Sequence, residues 1–300
     1  MKQLVIISGA TATGKSNTAI AVAQALNAEI VNADSMQLYK GMDIGTAKLP
    51  PAQRGGITHH LLDEVEVTEE VNVSWYQNRA REIIDELLPE KSVVVVGGTG
   101  LYIKAILDDL NFPETDESVR QSLNELAEKI GADAMHERLA KLDPAAAVAI
   151  PKENLRRVVR ALEVIEITGK PFTANLSRQG SSKYPQALQF GLELEREHLD
   201  QKIDYRVEQM WSQGFVAEVK ELIGVGLLNG KTARQAIGYN QIINFLEGFT
   251  SEGDAKELTK VATRQYARRQ ETWFKRDERI KWMASNSNRT EAIINDILKS

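Results

Sequence analysis

Gly9-Ala10-Thr11-Ala12-Thr13-Gly14-Lys15-Ser16 is the stretch that decides the fold. It fits G-x-x-x-x-G-K-[ST], the loop that cradles phosphate groups. Ahead of it, Leu4-Val5-Ile6-Ile7 is an apolar, β-branched run, as a buried strand requires. Behind it, Asn17 to Leu26 is alanine-rich and predicts a helix. Each residue type answers a physical need. Glycines let the backbone close on phosphate oxygens, and the free N–H groups at the helix start carry the positive end of the dipole toward the anion. Lys15 adds a full charge, and the Ser16 hydroxyl is suited to hold a magnesium ion. Gly9 through Ser16 are therefore expected to bind a polyphosphate or pyrophosphate. The alternative is a glycine-rich turn that binds nothing, and the strand before and helix after argue against it.

Outward from the loop, residues 1–112 alternate strand and helix, the pattern of a parallel α/β sheet. A second strand is predicted at Glu29-Ile30-Val31, running out to Asp34-Ser35. Ligands of open α/β sheets lie beyond the carboxyl ends of the strands, so Asp34 falls on the edge where a carboxylate can do chemistry. A turn or helix N-cap is the competing role for it. Residues 36–60 lack a period and carry Pro50-Pro51 and Gly55-Gly56, which reads as a substrate-binding or lid loop. His59 and His60 have no spaced partners for a metal site, so one is expected to pack and one to make a polar contact. Trp75 to Leu88 is an amphipathic helix and Val93 to Val96 a buried strand. Where an ATPase carries an acid at the end of that strand, this chain has Gly97-Gly98-Thr99. The turn is placed to offer backbone and the Thr99 hydroxyl to a ligand.

After Pro113 the period becomes helical. Val119, Leu123, Leu126 and Ile130 share a face, Met135, Leu139 and Leu142 continue it, and Asn154 caps a third helix that ends at Gly169. An all-helical insertion is expected at 114–184, with Ser177 to Tyr184 as a connector, inside a core made of 1–113 and 185–300. Arg156, Arg157 and Arg160 cluster on the third helix with no acid between them, which points to phosphate-backbone contact. A strand is predicted at Phe190 to Leu194 and a helix at Arg196 to Gly214, whose Arg206 lacks a partner at helical spacing. Phosphate contact or a surface role is open to it. Thr263 to Trp282 is the second basic stretch, with Arg264, Arg268 and Arg269 among interleaved aromatics. Trp273 is expected to be partly core.

Composition is that of a soluble globular protein, 42% hydrophobic and 26% charged. There is no cysteine, hence no disulfide, thiol nucleophile or thiolate-bound zinc. No apolar run reaches membrane-spanning length, and no signal peptide precedes the first strand, so a cytoplasmic protein with no membrane partner is expected. A net charge of −5 excludes indiscriminate nucleic-acid binding but not local basic patches. On residues alone, a small-molecule kinase and a non-catalytic RNA-binding P-loop module stay open beside an RNA-modifying enzyme.

The assembled motifs resemble the tRNA isopentenyltransferase (IPP transferase) family, the tRNA dimethylallyltransferases. The likeness runs end to end, through the phosphate loop, Asp34 to Lys48, Gly97 to Tyr102, Arg157 to Pro171, Gln235-Ala236-Ile237-Gly238-Tyr239 and Thr263 to Phe274. Ala10 and Thr13 stand where the family commonly has Pro and Ser, and the zinc finger of eukaryotic members is absent. The resemblance implies a P-loop NTPase-like parallel sheet with a helical insertion that grips the tRNA anticodon stem-loop. It implies transfer of a dimethylallyl group from dimethylallyl diphosphate to the exocyclic amine of the adenosine 3′ of the anticodon, with Mg2+ at Ser16 and a monomeric enzyme. Asp34, Thr99 and Arg206 are the catalytic residues it implies. Its expected tRNA contacts are Asp34, Ser35, Met36, Gln37 and Thr99 near the site, Arg120, Arg156, Arg157 and Arg160 in the insertion, Gln235, Gly238 and Tyr239, and Arg264, Arg268, Arg269, Gln270 and Trp273 on the late helix.

Overall fold

Leu4–Gly9 forms β1, whose alternation sends Val5 and Ile7 to one face of a sheet and Leu4 and Ile6 to the other. A strand apolar on both sides needs helices on both sides. The computed structural model describes residues 2–110, 112–173, 182–286 and 288–299, and it shows that arrangement. Lys15–Leu26 (α1) follows the loop, then Glu29–Asn32 (β2), His59–His60 (β3), Val73–Leu87 (α2), Val93–Val96 (β4) and Gly100–Leu107 (α3). The chain divides into two compact units, 1–107 with 184–300, and 108–183. The first unit resumes with Leu188–Leu192 (β5). The sheet is entirely parallel, in the order β3-β2-β4-β1-β5-β6, with Lys281–Met283 as β6. The order reverses between β1 and β4, so the loop after β1 and the turn after β4 open side by side at the carboxyl edge.

One face buries Val5, Ile7, Ala19, Val22, Ile30 and Val94. The other buries Ile6, Val31, Val95, Tyr76, Ile84 and Tyr102, and Tyr76 stacks on Tyr102 at 3.8 Å between ring centres. The fold departs from the sequence reading at the sheet edges. Both β3 and β6 lay in stretches read as loop and as a basic run. Strands of two and three residues are too short to show a period, and pairing with β2 and β5 alone defines them. Neither histidine of β3 merely packs. His59 Nδ1 meets the Ile57 carbonyl at 2.9 Å, and His60 Nε2 meets Glu29 at 2.7 Å.

The helical unit holds Glu117–Leu142 (α4), Pro144–Ala149 (α5) and Leu155–Thr168 (α6) around Leu123, Met135, Leu139, Val158 and Leu162. Asn154 caps α6 through the Arg157 N–H, and Gly169 ends it at φ 64°. Two members of the expected apolar face are not buried, Ile130 at 43% and Leu142 at 48% exposure. The helix breaks at Gly131 (φ 82°), which re-aims the residues beside it. Two expected RNA contacts are also redirected. Glu163 is fully buried and takes Arg120 at 2.6 Å and Arg160 at 3.0 Å. A buried carboxylate is tolerable only when paired, so Arg120 and Arg160 first serve the core of this unit. Arg156 and Arg157 are exposed and make no ion pair among the described residues. The stretch Ser177 to Ser181, read as a connector, lies outside the described residues.

Candidate active site

The loop between β1 and α1 turns on residues that sequence alone explains. A side chain on Gly9 (φ 141°) would strike the Leu192 carbonyl of the neighbouring strand, so only glycine lets β1 end there. Ala10 and Ala12 are buried against Leu194, Leu199 and Ile203, and the Thr13 hydroxyl donates back to the Ala10 carbonyl at 2.8 Å. Gly14, in left-handed backbone, starts α1. Lys15 Nζ donates to the Ala10 carbonyl at 2.6 Å, so the lysine is held by its own loop. Burial pushes its ammonium down to about 7, with the charge of Arg206 next in effect and Asp34 pulling the other way. One expectation is corrected here. The Thr11 N–H is not free for phosphate, because it donates to Gln270 Oε1 at 2.8 Å.

A cavity of about 570 Å³ opens over this loop. Lys15, Ser16 and Arg206 line it, together with Asp34, Gly97 and Gly98. Arg206 comes from Arg196–Ser212 (α7) and donates from Nη1 to the Thr11 hydroxyl at 3.2 Å. Its role is therefore in the cavity and not on the surface. Asp34 caps the 3-10 turn Ser35–Leu38 by accepting from the Met36 N–H at 3.0 Å, so the turn-capping role is observed, in a residue that also lines the cavity. Its own N–H donates to Asn32 Oδ1 at 3.0 Å, which fixes the residue from below. Burial raises the Asp34 carboxyl above the usual range, against the Met36 N–H and the charges of Lys15 and Arg206, which pull it down.

Thr99 is placed differently from the expectation. Its hydroxyl accepts the Ser35 N–H at 3.1 Å, and the cavity wall at this turn is made by Gly97 and Gly98. Gln37 lines the cavity and donates to the Thr46 carbonyl at 3.0 Å, while Ser35 and Met36 are half-buried beside it. Gln235 is exposed, but Gly238 and Tyr239 are buried, Tyr239 completely, and neither offers a surface to RNA. Tyr239 packs edge-on against Phe215, and a side chain on Gly238 would strike that ring.

Sequence reasoning missed the carboxylate that Tyr239 serves. Glu218, on Phe215–Gly224 (α8), accepts from Tyr239 at 2.6 Å and from the backbone N–H groups of Asp43, Ile44 and Gly45 at 3.2, 2.6 and 3.2 Å. Asp43, Ile44, Thr46 and Lys48 line the cavity, so Glu218 clamps one wall of it from outside. Glu218→Gln is expected to weaken pyrophosphate binding about tenfold, roughly 1.4 kcal/mol for one lost charge-assisted bond. Calorimetric titration checks this, and an unchanged Kd removes the clamp from site formation. The only sequence signal was its spacing from Asp43, 175 residues away, which no local pattern reveals.

The helix Glu252–Phe274 (α10), which follows Tyr239–Leu246 (α9), carries the late basic cluster. Two arginines of the cluster meet acids of a neighbouring helix. Arg264 is paired with Asp204 of α7, and Arg268 lies 4.0 Å from Asp200 while remaining largely exposed. Arg269 sits over the Tyr266 ring at 5.7 Å. Trp273 is 41% exposed and covers Gly100, so it is part wall and part surface. Gln270 is buried and joins two backbone segments of the site, not a surface.

Parallel sheet, phosphate loop at the switch point and a carboxylate in the same cavity together define a P-loop protein. The sequence model of the family described as IPP transferase matches residues 37–277. The tRNA dimethylallyltransferase of Thermobifida fusca is 54% identical over 290 residues, covering 94% of this chain and 90% of that protein. That of Streptomyces griseus is 51% identical over 283 residues, with 94% and 90% covered. Among solved structures, the tRNA isopentenylpyrophosphate transferase of Bacillus halodurans is 36% identical, with TM-score 0.72 and 100% and 96% covered. A eukaryotic dimethylallyltransferase captured acting on tRNA is 29% identical, with TM-score 0.84 and 100% and 80% covered. The chain belongs to the IPP transferase family.

Proposed function

We propose that this chain transfers a dimethylallyl group from dimethylallyl diphosphate to the exocyclic amine of the adenosine 3′-adjacent to the anticodon of tRNA. One observation carries the reading: a single cavity is lined by the phosphate loop with Lys15, by Arg206 and by Asp34, whose carboxyl burial raises. The bond from the allylic carbon to diphosphate oxygen breaks, the bond from the same carbon to the amine nitrogen forms, and the amine proton goes to Asp34. The amine is a poor nucleophile because its lone pair is delocalised into the ring, so a positioned base is needed. Lys15, Arg206 and the helix N-terminus receive the charge of the departing pyrophosphate. The Ser16 hydroxyl is a hard oxygen donor in the same cavity and fits Mg2+, which would neutralise pyrophosphate charge there. No attacking water has to be activated, which suits Gly97 and Gly98 at the end of β4. The target base must leave its stack to enter. The chain is taken to act as a monomer, and no helix among the described residues is long and apolar enough to cross a membrane.

The test is incubation with labelled dimethylallyl diphosphate, magnesium and unmodified tRNA, followed by nucleoside analysis. Label on the adenosine 3′ of the anticodon is expected. ATP turnover with a small acceptor and indifference to tRNA would overturn the reading.

The exposed arginines carry the RNA part of the proposal. Arg157→Ala and Arg268→Ala are each expected to lower the log–log salt slope of tRNA binding by about 1 and to weaken all tRNA substrates alike. Arg160→Ala, which strips a partner from buried Glu163, is expected instead to lower the melting temperature of the protein. Filter binding from low to high salt distinguishes them. Wild-type slopes in both surface variants would move the RNA elsewhere.

A further inference from the structure

Gln270 projects from α10 into the space between the two backbone segments that make the site. It is 5% exposed. Its Oε1 accepts from the Thr11 N–H at 2.8 Å, and its Nε2 donates to the Gly98 carbonyl at 2.8 Å. A side chain on Gly98 would strike that same Nε2, so the turn closes directly on the amide. From each end the hydrogen bonding runs on to a reactive group. The Thr11 hydroxyl accepts from Arg206, and Thr99, next to Gly98, holds the N–H of Ser35, next to Asp34. The chain Arg206–Thr11–Gln270–Gly98–Thr99–Ser35–Asp34 thus ties the cation that faces the leaving group to the carboxylate that faces the incoming amine.

We propose that Gln270 is a positioning residue for transfer, its carboxamide setting the distance between the phosphate loop and the Gly97–Thr99 turn. The inference rests on the transfer reaction proposed above. In that reaction the leaving oxygen and the attacking nitrogen stand on opposite sides of one carbon. The geometry of the two sides is therefore a rate term and not a binding term, and displacement by about 1 Å costs on the order of 10²-fold. Only a group that both donates and accepts meets an N–H on one side and a C=O on the other. A carboxylate at this position still accepts from Thr11 but sets an oxygen against the Gly98 carbonyl.

The test compares wild type, Gln270→Glu and Gln270→Met, both near-isosteric, using labelled dimethylallyl diphosphate and an anticodon stem-loop RNA. Single-turnover rates are expected to fall about 10²-fold in both. Pyrophosphate and RNA dissociation constants are expected to stay within about threefold of wild type, since those contacts are made by other groups. The Gln270→Glu rate alone is expected to recover as pH falls, because a protonated carboxyl donates to Gly98 as the amide does. Should Gln270→Glu fail to fold, Gln270→Met carries the same rate expectation. Rates within twofold of wild type, or equal losses in rate and in both affinities, overturn the inference while the reaction stands. A wild-type chain that transfers nothing overturns the reaction and the inference with it.

Discussion

Asn in place of Asp34 is expected to slow prenyl transfer by about 10²–10⁴-fold, the ordinary range for loss of a general base. The effect is large because the other carboxylate lining the cavity, Asp43, is paired with Lys48 at 2.7 Å. Asn keeps the Oδ1 that caps Met36, so the Ser35–Leu38 turn survives and tRNA affinity should hardly change. The pH dependence adds a second signature. Burial raises the Asp34 carboxyl, so the wild-type rate falls as pH drops through that raised value, since the protonated form accepts nothing. In Asp34→Asn this acid limb is expected to vanish. Single-turnover rates across pH, with tRNA affinity measured alongside, check both parts. A variant that keeps more than half of the wild-type rate removes Asp34 from the role of base.

Lys15→Ala is expected to weaken pyrophosphate binding by about 1.5–3 kcal/mol, roughly 10–150-fold, the worth of a hydrogen bond to a charged group. The sign of its pH dependence follows from the free site. There the ammonium is pushed down to about 7, so above that pH the site holds a neutral amine. An arriving anion favours the charged form, hence binding takes up a proton. Affinity should be nearly flat below pH 7 and fall by up to about tenfold per unit above it. Calorimetry in two buffers of different ionisation enthalpy reads the proton directly. In Lys15→Ala both the uptake and the slope from this group should disappear. Unchanged affinity with unchanged slope would sink the diphosphate assignment of the loop.

What sequence revealed divides along contact range. The loop, α1 at Lys15–Leu26 and β4 at Val93–Val96 were legible because neighbours in the chain determine them. The charge environment was not. Arg264 meets Asp204 across 60 residues and Arg120 meets Glu163 across 43, whereas helical spacing reports only partners three or four positions away. Runs that looked uncompensated were therefore partly neutralised by other helices. Tyr239 and Gln270 show the same limit from another side. Both stand in motifs shared with RNA-modifying enzymes, and a polar residue in such a motif invites an RNA role. Burial decides otherwise, since Tyr239 has no exposed surface and Gln270 almost none.

The phosphate loop is written in the first turns of the chain but finished by residues near its other end. Thr11 finds the acceptor for its N–H 259 positions later, at Gln270, and the Thr13 carbonyl finds the Arg289 guanidinium 276 positions later. A nascent chain emerging from the ribosome thus carries the whole loop sequence long before it can shape the loop. Closing such distant contacts is slow because the entropy of the intervening chain must be spent first. The outer contacts of the loop therefore wait until α10 and the Arg289–Lys299 helix dock. Until then the growing polypeptide holds the letters of the loop without its distant supports.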